Sequence, residues 1–256
     1  MEKIAVKQLT AQIEGKTILQ DISFEVEAGQ SLVIIGESGS GKTLLTKILI
    51  GQLPSSLSMQ GEVHYGSMSL ERNSLQDWQQ LRGRRVAYMS QNPMAMFNPF
   101  QTIQSHFWET LRSHSKISKS ACLTKALASM KEVRLGEPEE ILKKYPFELS
   151  GGQLQRICIA RGLLLKPDIL IFDEALSGLD PIVQGRLLRL LYDLWEKYQL
   201  TYLFISHDFK LSYALCHRIL VMADGEIVDE IKDFELPIQA HHPVTEKLIG
   251  DMGHFS

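Results

Sequence analysis

The chain has 256 residues, of which 44% are hydrophobic and 22% charged, with a formal net charge of −3. That length suits one large domain or a domain with a subdomain, and the apolar share supplies a full core. The slightly acidic balance argues against a protein that grips nucleic acid with a broad basic face.

The N-terminus, MEKIAVKQLT, lacks the pattern of a signal peptide. Ile4-Ala5-Val6, Thr17-Ile18-Leu19 and Ile22-Ser23-Phe24-Glu25-Val26 are short alternating or β-branched stretches, with turn signals at Glu14-Gly15 and Ala28-Gly29. They predict an antiparallel β layer ahead of the main core, to which Gly61–Gly66 adds a strand. Leu32-Val33-Ile34-Ile35 reads as a buried strand, and Leu44, Leu45, Ile48 and Leu49 as one face of a helix.

Between that strand and helix lies Gly36-Glu37-Ser38-Gly39-Ser40-Gly41-Lys42-Thr43, which fits the phosphate-loop pattern G-x-x-x-x-G-K-[ST] at every fixed position. The glycines let the backbone curl with its N–H groups inward, and the helix dipole adds to their hold on phosphate oxygens. Lys42 is expected to reach the β- and γ-phosphates, and Thr43 to hold Mg²⁺ through its hydroxyl.

Val86–Met89 reads as a strand ending at Ser90-Gln91, with the Gln91 amide oxygen placed to contact Mg²⁺ or water. Ile103–Arg112, Lys119–Val133 and Glu137–Tyr145 then predict three helices of an all-α insertion. Leu149-Ser150-Gly151-Gly152-Gln153 opens a further helix. Ser150 and the Gly151–Gly152 amides make a second anion cradle there, beside the plainer reading of Ser150 as a helix cap. One nucleotide does not need two cradles, so the second is expected to act on a nucleotide held by another subunit.

Ile169–Phe172 and Tyr202–Ile205 are apolar strands around the helical run Val183–Lys197, a β-α-β unit of a parallel core sheet. Asp173 ends the first strand and is suited to Mg²⁺, usually through water; Glu174 follows it as the candidate base for an attacking water. His207 follows the second strand, where a neutral imidazole can hydrogen-bond the γ-phosphate and hold Glu174. Ile219–Met222, a turn at Asp224-Gly225 and Glu226–Val228 close the pattern. Cys122, Cys158 and Cys216 stand in no metal spacing and read as reduced thiols of an intracellular protein. No apolar run reaches the roughly 18 residues of a membrane span, so service to a membrane is expected through a partner.

Taken together these residues resemble the ATP-binding subunits of ABC transporters over nearly the whole chain. Residues 36–43 look like Walker A, 169–174 like Walker B, and 149–153 like the family's signature; Gln91 matches the Q-loop, residues 177–180 the D-loop and His207 the switch histidine. The resemblance implies an α/β phosphate-loop ATPase core (1–91 and 146–230) with a parallel sheet, an N-terminal antiparallel layer, an all-α insertion (92–145) and a short C-terminal extension (231–256). It implies ATP and Mg²⁺ as ligands, with Glu174, His207, Gln91 and Lys42 in catalysis. It implies a head-to-tail pair of ATPase subunits, each ATP lying between one Walker A and the partner's Ser150–Gln153. The second subunit would be a paralogue or another copy. Two membrane permease subunits and an extracytoplasmic solute-binding protein complete the implied system, at the cytoplasmic face of the membrane.

Residues 91–99 and 145–150 look like the oligopeptide, dipeptide and nickel uptake branch, and His242-Pro243-Val244-Thr245 is similar to that branch's His-Pro-Tyr-Thr. The shorter length resembles the nickel or metal-chelate subunits, although the adjacent His241-His242 is not read as a nickel site. Ile13 stands where the family usually places an aromatic that stacks on adenine. Asn92–Arg112, rich in Met94, Met96, Phe97, Phe100, Phe107 and Trp108, is expected to face the membrane subunit. The alternative is a soluble ABC-type ATPase acting on nucleic acid or ribosomes; the absence of a heptad run and the single nucleotide domain argue against it.

Overall fold

A computed structural model describes residues 3–70, 78, 81–209, 216, 218–232 and 240–250. The chain begins with a hairpin, β1 (Ile4–Ile13) and β2 (Lys16–Val26), joined by Glu14 (φ 52°) and Gly15 (φ 78°). Two successive positive φ values are what a type I′ two-residue hairpin turn requires. The two stretches read from sequence on the second arm are one eleven-residue strand, irregular near Asp21 (φ 48°). There the Asp21 amide donates to Thr10 Oγ1 at 3.2 Å, and the Gln8 amide to Ser23 Oγ at 2.8 Å. With β4 (Leu57–Tyr65) and β5 (Met68–Ser69) these strands form an antiparallel sheet in the order β2-β1-β4-β5. β4 starts four residues before the expected Gly61.

The second sheet holds β3 (Ser31–Gly36), β6 (Val86–Ser90), β7 (Ile169–Asp173), β8 (Thr201–Ser206), β9 (Arg218–Ala223) and β10 (Glu226–Ile231). Its order is β10-β9-β3-β8-β7-β6, parallel except for the β9–β10 hairpin. Both faces are covered, which is why its strands read as unbroken apolar runs. Leu32, Ile34, Ile171, Leu203 and Leu220 pack toward α1 (Lys42–Leu49) and the antiparallel sheet. Val33, Ile35, Phe172, Phe204 and Val221 face the helices. Phe172 and Phe204 stack with ring centroids 4.8 Å apart.

The insertion contributes α2 (Ile103–His114), α3 (Lys119–Glu132) and α4 (Pro138–Lys143). Thr102 and Ser118 cap the first two by accepting from the amides of Ser105 and Ala121. Then follow α5 (Gly151–Leu163), α6 (Pro181–Tyr198), and α7 (Pro243–Gly250) near the end. The apolar residues of α2–α4 join α5 and one face of the parallel sheet in a single cluster. That cluster takes Phe97 (6% exposed) and Phe107 (0%) out of the group expected to face a membrane subunit, whereas Phe100 is 88% exposed.

Tyr65 ties the two sheets' layers together at the phosphate-loop helix. Its ring is fully buried and its hydroxyl donates to the carbonyl of Leu49, the last residue of α1, at 2.7 Å. Tyr65→Phe leaves that buried acceptor without its donor and is expected to cost about 1–3 kcal/mol. Urea unfolding of both forms checks this; equal midpoints would mean the bond contributes nothing.

Candidate functional site

Parallel pairing sets the site. β3, β8, β7 and β6 are neighbours in that order, so their C-terminal ends lie along one edge. Ile35 is paired with Ser206, Ile205 with Asp173, and Asp173 with Ser90. The phosphate loop, His207, Glu174 and Gln91 each leave the sheet at the next residue or so, in one row.

The loop after β3 is shaped by its glycines. A Cβ at Gly36 would run into the Met222 carbonyl and Ser40 Oγ, and one at Gly41 would lie 2.6 Å from Leu19 Cδ2. Gly39 (φ 88°) and Gly41 (φ 98°) hold conformations that other residues rarely adopt. Gly41 is the N-cap of α1, and no side chain caps that end and no acidic residue lies in its first turn. The helix start thus keeps its positive end for an external anion. Lys42 is 6% exposed, and its Nζ donates to Gly36 O at 2.7 Å, Glu37 O at 2.8 Å and Ser40 Oγ at 3.2 Å. Burial lowers its pKa, while Glu174 and Asp173 pull the other way. Glu37, Ser38, Gly39 and Thr43 are on the exposed side of the loop, with Ser40 buried beneath.

Asp173 is held by Tyr88, whose hydroxyl donates to Oδ2 at 3.0 Å. Burial raises the Asp173 pKa, against the Tyr88 bond and the charges of Lys42 and Lys47, and burial pushes the Tyr88 hydroxyl up to about 12. Glu174 takes φ 51°, turning the chain sharply off the strand, and its amide donates to Ile205 O at 2.9 Å. Its Oε2 is 3.5 Å from Nδ1 of His207. Gln91 is exposed directly after β6.

Ser150–Gln153 lie at the head of α5. Ser150 Oγ accepts from the Gln153 amide at 3.3 Å, and Gln153 Oε1 from the Ser150 amide at 3.0 Å, a reciprocal cap. The cap expected for Ser150 is therefore present. Ser150 and Gly151 are exposed, and a methyl added at Gly151 would meet nothing within 4 Å. Ile13 ends β1, partly buried against the cluster that contains Leu19 and Met222, both of which, with Ile18, abut Gly41.

Residues 19–177 match the family model described as ABC transporter. The chain belongs to the ABC transporter family. It is 34% identical over 236 residues to the probable peptide ABC transporter ATP-binding protein y4tR of Sinorhizobium fredii, covering 91% of this chain and 70% of that one. It is 33% identical to the metal-staphylopine import system ATP-binding protein CntD of Staphylococcus aureus, covering 90% and 86%. Against YejF of Escherichia coli, an uncharacterized ABC transporter ATP-binding protein, it is 34% identical and spans 45% of that chain's length. Among solved structures, the dimeric bacterial ABC transporter cassette MJ0796 superposes with a TM-score of 0.77 at 25% identity, covering 90% of this chain and 98% of that one. The expected α/β cassette fold is borne out, and the chain is an ATPase of the kind coupled to transport.

As an ABC ATPase it has a site whose chemistry also suits Mg²⁺. Among the described residues no three His, Cys, Asp or Glu side chains cluster to hold a metal ion on their own. A hydroxyl (Thr43), a carboxylate (Asp173) and an amide (Gln91) around a phosphate cradle are instead what Mg²⁺ takes, since it is usually held by one or two carboxylates with substrate phosphates and water. The sequence signals the role of Tyr88 only as a hydroxyl-bearing aromatic in the strand before Gln91. It carries no signal for the ion pair between Lys247 of α7 and Glu37 of the phosphate loop, 210 positions apart.

Ile13 generates a test. An aliphatic side chain gives adenine dispersion contact without a π-face, and base–aromatic stacking is worth roughly 1–3 kcal/mol in nucleic-acid binders. Ile13→Tyr is expected to tighten ATP binding several-fold and ATP more than GTP, as measured by calorimetry. Unchanged or weaker binding would mean that Ile13 does not meet the base.

Proposed function

We propose that this chain is the ATP-hydrolysing subunit of a membrane importer for peptides or metal chelates, nickel included, and that it works as one half of a head-to-tail pair. The observation that carries this is a second anion cradle, exposed at the head of α5, in addition to the phosphate loop. The phosphate loop shares the sheet edge with Glu174 and His207, while Ser150–Gly151 lie open on the head of α5. A partner's phosphate tail suits the second cradle, and a second subunit, paralogue or copy, offers one. The names of y4tR, the oligopeptide transport ATP-binding protein AmiE of Streptococcus pneumoniae, and CntD support peptide or metal-chelate cargo. No helix among the described residues is long and apolar enough to cross a membrane, which supports a peripheral subunit on permease partners, supplied with cargo by a solute-binding protein.

In this reading the Gly36–Thr43 loop binds the phosphates of ATP, and Lys42 neutralises charge on the β- and γ-phosphates. Thr43, Asp173 through water, and Gln91 would hold Mg²⁺, which supplies further charge neutralisation when bound. Glu174 takes the proton of the attacking water, and His207, 3.5 Å away, fixes the carboxylate and reaches the γ-phosphate. Ser150, Gly151, Gly152 and Gln153 close the site from the partner subunit.

Glu174→Gln keeps the shape and removes the base. Turnover is expected to fall by about 10²–10⁴ with ATP affinity retained, so that an ATP-bound dimer accumulates on size-exclusion chromatography. Near-normal turnover would remove Glu174 from the role of base.

A further inference from the structure

The helix headed by Ser150 also reaches the loop that carries Glu174. Gln155 lies on α5, 6% exposed, and its Nε2 donates to the carbonyl of Ala175 at 2.5 Å. The neighbouring carbonyls are held as well. Glu174 O accepts from Ser177 Oγ at 2.7 Å, and Leu176 O from Gln184 Nε2 of α6 at 3.1 Å. Three successive carbonyls after the Asp173 strand therefore have side-chain donors, and Gln155 is the donor that comes from α5. Such fixing is what the φ of 51° at Glu174 demands, because a strained backbone persists only where its surroundings over-determine it.

The other amide atom, Gln155 Oε1, is buried without a hydrogen-bond partner. Gln155 lines a cavity of about 10 Å³ together with Ser90, Pro93, Cys158 and Leu187. An apolar side chain would fill this place without leaving a buried acceptor unsatisfied, a cost that a purely space-filling residue would not carry. The amide cannot be turned round, since Oε1 would then face the Ala175 oxygen.

We infer that Gln155 is a positioning residue that couples the signature helix to the catalytic base of its own chain; the coupling rests on the composite-site reading above. When Ser150–Gln153 engage a nucleoside triphosphate held by the partner, any shift of α5 is passed through Gln155 to Ala175 and so to Glu174. Each Ser150–Gln153 segment then acts on two sites, on the partner's phosphates by contact and on its own water-activating carboxylate by leverage.

Two substitutions in the full chain test this. Gln155→Met keeps the length and removes the donor. It is expected to lower kcat by about 10- to 100-fold, the scale of a small misplacement of catalytic groups, with KM for ATP little changed because the phosphate loop is untouched. Hydrogen exchange of residues 175–177 should quicken while the melting temperature of the rest holds. Gln155→Glu adds a readout that packing alone does not move. Burial raises a carboxyl's pKa; protonated, its O–H donates to Ala175 O, and ionised, it repels that oxygen. Among the described residues lining the cavity the one titratable side chain is Cys158, whose thiol burial pushes up to about 12, so it stays neutral throughout; Asp173 and Glu174, on the segment that carries Ala175, are carboxylates whose negative charge adds to the rise. The kcat of Gln155→Glu should therefore fall as pH rises, relative to the parent. Parent-like kcat and exchange in Gln155→Met, or a parent-like pH profile in Gln155→Glu, would overturn the coupling. Failure of the composite-site reading shows separately, as a parent chain whose hydrolysis is indifferent to substitution of Ser150.

Discussion

Parallel strand pairing is the constraint on which the rest depends. A parallel sheet sends every connection back across a face and brings every strand's C-terminal end to one edge. β3, β8, β7 and β6 therefore deliver Gly36, His207, Glu174 and Gln91 to one line without any of these residues being close in sequence. The apolar faces that hold the strands buried are what keep the line in register. Phe172, one residue before Asp173, stacks on Phe204 in the next strand, so the core packing runs directly under the edge where the candidate residues lie.

A second consequence follows from the insertion. Its helices share one apolar cluster with α5, and Arg161 of α5 donates to Met96 O at 3.0 Å while lying over the Phe97 ring. The segment that follows Gln91 is thus fastened to the helix that begins at Ser150. With Gln155 fastening the same helix to Ala175, α5 touches the exits of two strands, β6 and β7. A helix so connected is suited to relay the state of a bound phosphate, whichever end senses it.

Much of this was legible in the sequence because burial writes itself as pattern. β3, β7 and β8 are covered on both faces and read as continuous apolar runs, while Gly15, Gly39 and Gly41 are the residue type that their positive φ values favour. The apolar richness of 94–108 was equally visible, but composition does not tell a core residue such as Phe107 from an exposed one such as Phe100. Long-range polar contacts left no trace at all. Tyr88 with Asp173, Gln155 with Ala175 and Lys247 with Glu37 are single side chains meeting across the fold, with no period to reveal them. The irregularity at Asp21 was hidden for a similar reason, since hydroxyls far along the chain satisfy its amides.

The central claim is that one working site takes its phosphate loop from one subunit and its signature from another. Mixing two inactive variants, Lys42→Ala and Gly151→Asp, tests it most directly. A head-to-tail pair formed from the two contains one site with both defects and one site with neither. The account predicts that each variant alone is inactive and that the mixture regains ATP hydrolysis. A mixture as inactive as its components, with both variants folded and the parent chain active, would contradict it.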